Sequence, residues 1–245
     1  MIIPFCKILY RYSKGKILWH LFHRTISRPM MSFAETIIIE EVLNNLKPMR
    51  CLEWGAGYST LIFPRFAGQN TRWIALEHNP DWALKIKVLN KNPNVTISYI
   101  APNKFPWSDE NNDGGLLDLK DYIDFPDQFA PFNFILVDGR ARKDCLIKAY
   151  DLCKEDGIVV LHDAERQYYQ QPLRLYQYQF SFSEHTQGQI KLWMGSKSIN
   201  ISKRFRVNRY TKLAQLLRFF GKIRSKLFKQ LKVVNSRFLV SSVMH

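Results

Sequence analysis

Residues 50–60 read Arg50-Cys51-Leu52-Glu53-Trp54-Gly55-Ala56-Gly57-Tyr58-Ser59-Thr60. A short apolar run ends near an acid, bends through two glycines, and then meets two hydroxyl residues suited to open a helix. The stretch therefore predicts a strand, a tight turn and a helix. Glycine lets the backbone bend sharply and leaves no Cβ in the path of a ligand. Amides at the start of the helix would favour an anionic group.

Outward from this turn, strands and helices alternate. Apolar spacing at Ile37, Ile38, Val42 and Leu46 predicts a helix over 34–46. Strands are predicted over 50–54, 72–77, 94–100, 132–138 and 157–162, and helices over 59–67, 80–90 and 142–153. Pro80 stands at a favoured first-turn position. The run 132–138 (FNFILVD) is almost wholly apolar, as expected of a strand buried on both faces. Residues 101–131, with prolines, a Gly114–Gly115 pair and many Asp and Asn, predict a long loop with a short helix near 117–123. Two last strands, near 176–184 and 189–195, flank His185–Gly188 as a hairpin. The sum is an α/β fold: Rossmann-like, doubly wound, with a mainly parallel seven-stranded sheet closed by a C-terminal antiparallel hairpin.

Such sheets bind ligands beyond the carboxyl ends of their strands. Four strands end at or beside an acid: Glu53, Glu77, Asp138 and Asp163. Glu77 lies 24 residues beyond Glu53, where a carboxylate can accept hydrogen bonds from both hydroxyls of a ribose. Ser59 and Thr60 replace the third glycine of a dinucleotide fingerprint, which points away from a nicotinamide enzyme.

The charge is uneven. The chain carries 36 Lys and Arg against 21 Asp and Glu, a formal net charge of +15. Residues 1–28 hold six basic residues and residues 197–245 hold thirteen, with no acid in either. That leaves 17 basic against 21 acidic residues in 29–196, a net charge of −4. The expected organisation is a basic, apolar N-terminal arm (1–30), a central α/β domain (31–197) and a basic C-terminal extension (198–245). Leu213, Leu216, Leu217, Phe220, Ile223, Leu227 and Leu231 trace an amphipathic helix over 209–232. Such ends suit an anionic membrane surface, with nucleic acid as the weaker alternative and simple packing on the domain as a third. No apolar run reaches transmembrane length. Four cysteines without a CxxC pair predict neither a disulfide framework nor a zinc site, and place the chain in reducing, cytoplasmic surroundings, peripheral on a membrane at most.

The segments LEWGAGYST, ALEHNPDW, ILVDG and GIVVLHDAER, over roughly residues 35–195, resemble the class I S-adenosylmethionine (SAM)-dependent methyltransferase superfamily. The resemblance implies SAM as cofactor, with Glu53, Gly55 and Gly57 around its methionine part, Glu77 on its ribose, and Ser59, Thr60 and Asp138 as further cofactor-binding residues. It implies an adenine contact within 101–131 but names no residue there. The catalytic candidates are Asp138, His162 and Asp163. Arg140, Arg142 and Arg166 are candidates to pair with a substrate carboxylate or phosphate.

The chain also resembles metal-dependent O-methyltransferases, which implies a divalent cation such as Mg²⁺ on Asp138 and Asp163, with Glu165 as a third oxygen ligand. The pattern His162-Asp163-Ala164-Glu165-Arg166 resembles the glucuronoxylan 4-O-methyltransferase-like group, which implies methylation of a sugar or glycan hydroxyl. RNA methylation using the basic ends and a non-catalytic membrane-surface scaffold are the rival functions. Structural roles also stay open: Asp138 as a helix cap, His162 as a hydrogen-bonded core histidine.

Overall fold

The structure is a computed structural model that describes residues 29–109, 111–183, 190–212 and 215. The turn at 185–188, residues 1–28 of the N-terminal arm and most of the amphipathic segment 209–232 lie outside these residues. Seven strands form one sheet: β1 (Arg50–Trp54), β2 (Arg72–Glu77), β3 (Val95–Tyr99), β4 (Phe132–Val137), β5 (Cys153–His162), β6 (Tyr178–Phe182) and β7 (Leu192–Ser196). Their order is β3-β2-β1-β4-β5-β7-β6. Pairing is parallel from β3 through β5, and β7 is antiparallel to both β5 and β6. The strand order reverses between β1 and β4, which places the switch point at the glycine turn.

The helices lie on both faces of the sheet. They are α1 (Phe33–Leu46), α2 (Tyr58–Ile62), α3 (Pro64–Ala67), α4 (Pro80–Leu89), α5 (Leu116–Asp124), α6 (Arg142–Leu152), α7 (Gln170–Leu173) and α8 (Ile201–Arg204). The helix expected over 59–67 is split, because Pro64 opens α3 and Phe63 caps α2. Helix α1 starts with a capping box: the Glu35 amide donates to Ser32 Oγ at 3.3 Å, and the Ser32 amide donates to Glu35 Oε2 at 2.6 Å. Asn79 caps α4, accepting from the Trp82 amide at 2.9 Å.

Alternation along each strand divides the core in two. Cys51, Trp73, Ala75, Phe134, Leu136, Ile158 and Val160 pack with Ile38, Ile39, Val42 and Leu43 of α1 and Ile86 of α4. Leu52, Trp54, Leu76, Ile135, Val137, Val159 and Leu161 pack with Leu119, Tyr122 and Ile123 of α5 and Cys145, Leu146 and Ala149 of α6. Fully burying one such side chain is worth roughly 1.5–3 kcal/mol. The core continues past residue 197: Ile201, Phe205 and Val207 are buried in the α1 layer. There the Arg206 amide and the Tyr210 hydroxyl donate to the Glu41 carboxylate at 3.3 and 3.0 Å. Cys51, Cys145 and Cys153 are buried free thiols. Among the described residues, no helix is long and apolar enough to cross a membrane.

Candidate active site

A cavity of about 750 Å³ opens at the switch point, lined by Gly55–Ser59, Glu77–Asn79, Asp81, Trp82, Lys85, Asp138–Arg140, Arg142, His162, Asp163, Arg166 and Met30. It lies within the size range of small-molecule sites. The structure thus gathers Gly55, Gly57, Ser59, Glu77, Asp138, Arg140, Arg142, His162, Asp163 and Arg166 around one hollow, although they come from four strand ends.

The two glycines differ in purpose. Gly55 has φ +95°, and a Cβ there would stand 2.5 Å from the Gly139 Cα. It is glycine because the ends of β1 and β4 press together, and because the backbone is left-handed. A Cβ on Gly57 would meet nothing nearer than Ser59 Oγ at 3.5 Å. No atom of the described residues requires glycine at 57. Gly57 lines the open cavity, so an added methyl would take up space in it.

Glu53 and Thr60, expected around a cofactor, stand behind the cavity wall instead. Both are fully buried. Glu53 accepts hydrogen bonds from the Ser59 hydroxyl, from Thr60 Oγ1 at 2.8 Å and from Trp73 Nε1 at 2.8 Å. Thr60 Oγ1 in turn accepts from the Gly57 amide at 2.9 Å. The reason is position along the strand: Glu53 stands one residue inside the end of β1, on the Cys51 side packed against the core, whereas Glu77 is the last residue of β2. A buried carboxylate needs donors, and the start of α2 supplies them. Burial raises the Glu53 pKa to about 7 against the opposing effect of those three donors. Glu53 is thus an internal brace that holds the glycine turn to the sheet.

A second tie comes from α4. Trp82 Nε1 donates to the Ala56 carbonyl at 2.7 Å, and Lys85 Nζ sits 4.5 Å from the Trp82 ring centre. Glu77 ends β2 facing the cavity. Its Oε1 accepts from the His78 and Asn79 amides at 3.0 and 2.9 Å, and no donor among the described residues reaches Oε2.

The opposite wall is an ion cluster. His162 Nδ1 is 2.8 Å from Asp138 Oδ1, and its Nε2 is 3.7 Å from Glu35 Oε1. Burial alone would lower the ring's pKa. The Asp138 hydrogen bond, and then the charges of Asp138, Asp163 and Glu35, outweigh burial and raise it. Nδ1 is thus hydrogen-bonded to Asp138, which His162 positions, while Nε2 faces Glu35 Oε1 from beyond hydrogen-bond length.

Arg142 is likewise committed inward. Its Nη1 donates to the His162 carbonyl at 2.6 Å, Nε to the Gly139 carbonyl at 2.9 Å and Nη2 to the Asp138 carbonyl at 3.3 Å. The same guanidinium lies 3.5 Å from both Asp138 Oδ1 and Asp163 Oδ2. It links the ends of β4 and β5 from below, in place of the substrate contact expected of it. Asp163 itself has φ +52°, an uncommon left-handed conformation for a non-glycine residue.

The expected cation does not fit this arrangement. Arg142 already lies against Asp138 and Asp163, and Glu165 pairs with Lys191. Among the described residues no group of three potential ligands is placed to hold a metal ion. The guanidinium supplies the positive charge that a metal would bring.

Sequence reasoning missed Asp113, which lies in the long loop. It is buried; its Oδ2 accepts from the Arg142 amide at 3.3 Å and the Tyr169 hydroxyl at 3.1 Å, and its carbonyl accepts from the Ala141 amide at 2.8 Å. It caps α6 from a distance of 29 residues. The only available signal was an acid beside the Gly114–Gly115 pair. The sequence named no residue for an adenine contact; from the loop over 101–131, Trp107 sets its ring 5.7 Å from that of His78, the residue after Glu77.

No protein-family model matches the chain, and no curated protein's sequence matches it. A methyltransferase-like protein from Silicibacter pomeroyi superposes on 69% of this chain and 89% of its own at 16% identity, with a TM-score of 0.50. A putative O-methyltransferase from Klebsiella pneumoniae covers 71% of this chain and 84% of its own at 16% identity, with a TM-score of 0.46. Spermidine synthase from Thermotoga maritima covers 71% at 14% identity, with a TM-score of 0.45; only 61% of that enzyme is matched. The first of these shares the fold: a Rossmann-like methyltransferase fold, with its mixed seven-stranded sheet and terminal hairpin.

Proposed function

We propose that the chain is a SAM-dependent methyltransferase that methylates a hydroxyl group of a small molecule or glycan. One observation carries this reading: Gly57, Glu77, Asp138 and Asp163, from four separate strand ends, line a single cavity at the point where strand order reverses. The residues fit the cofactor. Gly57 leaves room at the turn, and Glu77 Oε2 is available to a ribose. The Glu53 and Trp82 ties hold the turn between them.

SAM supplies an activated methyl group, so the protein's task is to orient an acceptor hydroxyl and take its proton. Asp138 Oδ2 and Asp163 Oδ1 have no donor among the described residues, while Oδ1 of the first and Oδ2 of the second face His162 and Arg142. Each carboxylate thus keeps one oxygen for the acceptor. Asp163 is the more exposed of the two and is our choice for the proton acceptor, with Asp138 orienting the hydroxyl.

A sugar acceptor is the specific reading we favour, on the His162–Arg166 pattern. The basic ends, peripheral to an anionic surface, belong to the same proposal. Calorimetric titration with SAM and its product S-adenosylhomocysteine tests the cofactor. Transfer of label from SAM to sugars, hydroxylated aromatic compounds and RNA tests the acceptor. Failure to bind either nucleoside sinks the enzymatic reading, and labelling of RNA alone would replace the hydroxylated acceptor.

A further inference from the structure

Two of the three cavity arginines stand apart from Arg142. Arg140 Nη1 lies 3.9 Å from Asp113 Oδ1, and Arg166 Nη1 lies 3.3 Å from the same oxygen. Two guanidinium groups from different loops therefore converge on one carboxylate oxygen. Asp113 is buried, whereas the side chains of Arg140 and Arg166 are 38% and 34% exposed at the cavity rim.

The distribution of hydrogen bonds within each group is uneven. Arg140 donates through Nη1 to the Asn112 carbonyl. Arg166 donates through Nη1 to Asp113, Tyr168 and Tyr169. Among the described residues, Nε and Nη2 of both arginines meet no acceptor. Two positive charges against one carboxylate leave one charge uncompensated here. The free edges of the two planar groups present a fork suited to a carboxylate or phosphate. A purely structural ion pair would need only one arginine. It would not leave the bidentate edge of both unused.

We propose that Arg140 and Arg166, set by Asp113, form a clamp for an anionic group, carboxylate or phosphate, on the methyl acceptor. This rests on the methyl-transfer reading and narrows it: the acceptor is a hydroxylated anion. Pre-set arginines lower the ordering cost of binding, and exclusion of the uncharged analogue follows from leaving the pair unmatched.

The test uses the full chain saturated with S-adenosylhomocysteine. Two series of probes share their hydroxyls and differ in charge: D-glucuronate, D-glucose 6-phosphate and D-glucose; and 3,4-dihydroxybenzoate and catechol. Binding is read by ligand-observed NMR titration. At least one charged member should bind tenfold or more tightly than its neutral partner, and comparing glucuronate with glucose 6-phosphate separates carboxylate from phosphate. The Arg140→Gln, Arg166→Gln double variant should lose that preference. The Arg140→Lys, Arg166→Lys variant keeps the charge without the fork, guards against a folding defect and should recover part of it. Equal binding of charged and neutral probes, no binding by any charged probe, or a preference unchanged in the double variant overturns the clamp. Weaker S-adenosylhomocysteine binding in the double variant would assign the arginines to the cofactor's own carboxylate and also overturn it. A wild-type protein that binds charged probes but no S-adenosylhomocysteine leaves the clamp standing and removes the methyltransferase.

Discussion

His162 Nδ1 donates to Asp138 Oδ1 at 2.8 Å while its Nε2 faces Glu35 Oε1 at 3.7 Å, so one imidazole joins the end of β4 to the first turn of α1. The raised pKa of the ring has a defined consequence. The folded state holds this proton more tightly than the unfolded chain does. The added stability is therefore fully present below the ordinary histidine pKa, near 6.5, and is lost as pH rises through the folded value. Urea unfolding from pH 5.5 to 8.5 should show wild type losing stability relative to His162→Gln as pH increases. Parallel curves for the two proteins would contradict the bridge.

Glu53 behaves in the same direction for a different reason. Its pKa, raised from 4.5 to about 7, means that the folded protein binds a proton that the unfolded chain has released. Between those values, stability falls as pH rises, by about 3 kcal/mol in total. Thermal unfolding of Glu53→Gln, which carries no charge, should lack that decline. A wild-type curve that is flat between pH 4.5 and 7 relative to the variant would show that the three donors keep Glu53 ionised throughout.

Glu77 provides the direct check on the nucleoside site. Glu77→Gln keeps an oxygen for the His78 and Asn79 amides but removes the charge from the cavity. Affinity for S-adenosylhomocysteine should fall roughly 10- to 100-fold, the worth of a hydrogen bond to a charged group. Calorimetry that finds the same affinity in variant and wild type would take Glu77 off the ribose.

The glycines divide stability from binding. Gly139→Ala would place a methyl 2.2 Å from the Tyr122 hydroxyl, so it should cost about 1–3 kcal/mol in unfolding measurements. Gly57→Ala has no such clash and should leave the unfolding midpoint near that of wild type while weakening cofactor binding. The reverse pattern would mean that residue 57 packs against protein and Gly139 does not.

Because Arg142 already lies between Asp138 and Asp163, methyl transfer should continue in excess EDTA. Abolition by chelator, with recovery on adding Mg²⁺, would return the divalent ion to this site.

The parts of the sequence that carry strong periodicity were readable. The run 132–138 and the turn after Glu53 gave β1, β4 and their switch point, because a parallel strand buried on both faces leaves few alternatives. Glu77 and Asp138 were legible for the same reason, since a strand end fixes where the next side chain stands. Glu53 lies one residue short of the end of its strand: an acid there meets the cavity or the core, and only the partners Thr60 and Trp73 decide which. Arg142 and Asp113 were beyond local reading. One needed the crossing of three carbonyls, the other a contact spanning 29 residues. Charge pattern marked Arg142 as a cation near a cleft but gave no clue that its own backbone neighbours would engage it.

Helix α1 anchors the described chain at both of its borders. The chain enters the domain at Met30, on the cavity rim, and turns into α1 at Phe33; after the last strand it returns to the same helix, where Arg206 and Tyr210 fasten to Glu41. Eight residues of helix separate Phe33 from Glu41, about 12 Å along the axis. One helix therefore carries both the Glu35 contact at the cavity wall and the Glu41 anchor of residues 206–210, so a displacement of α1 would register at both places at once.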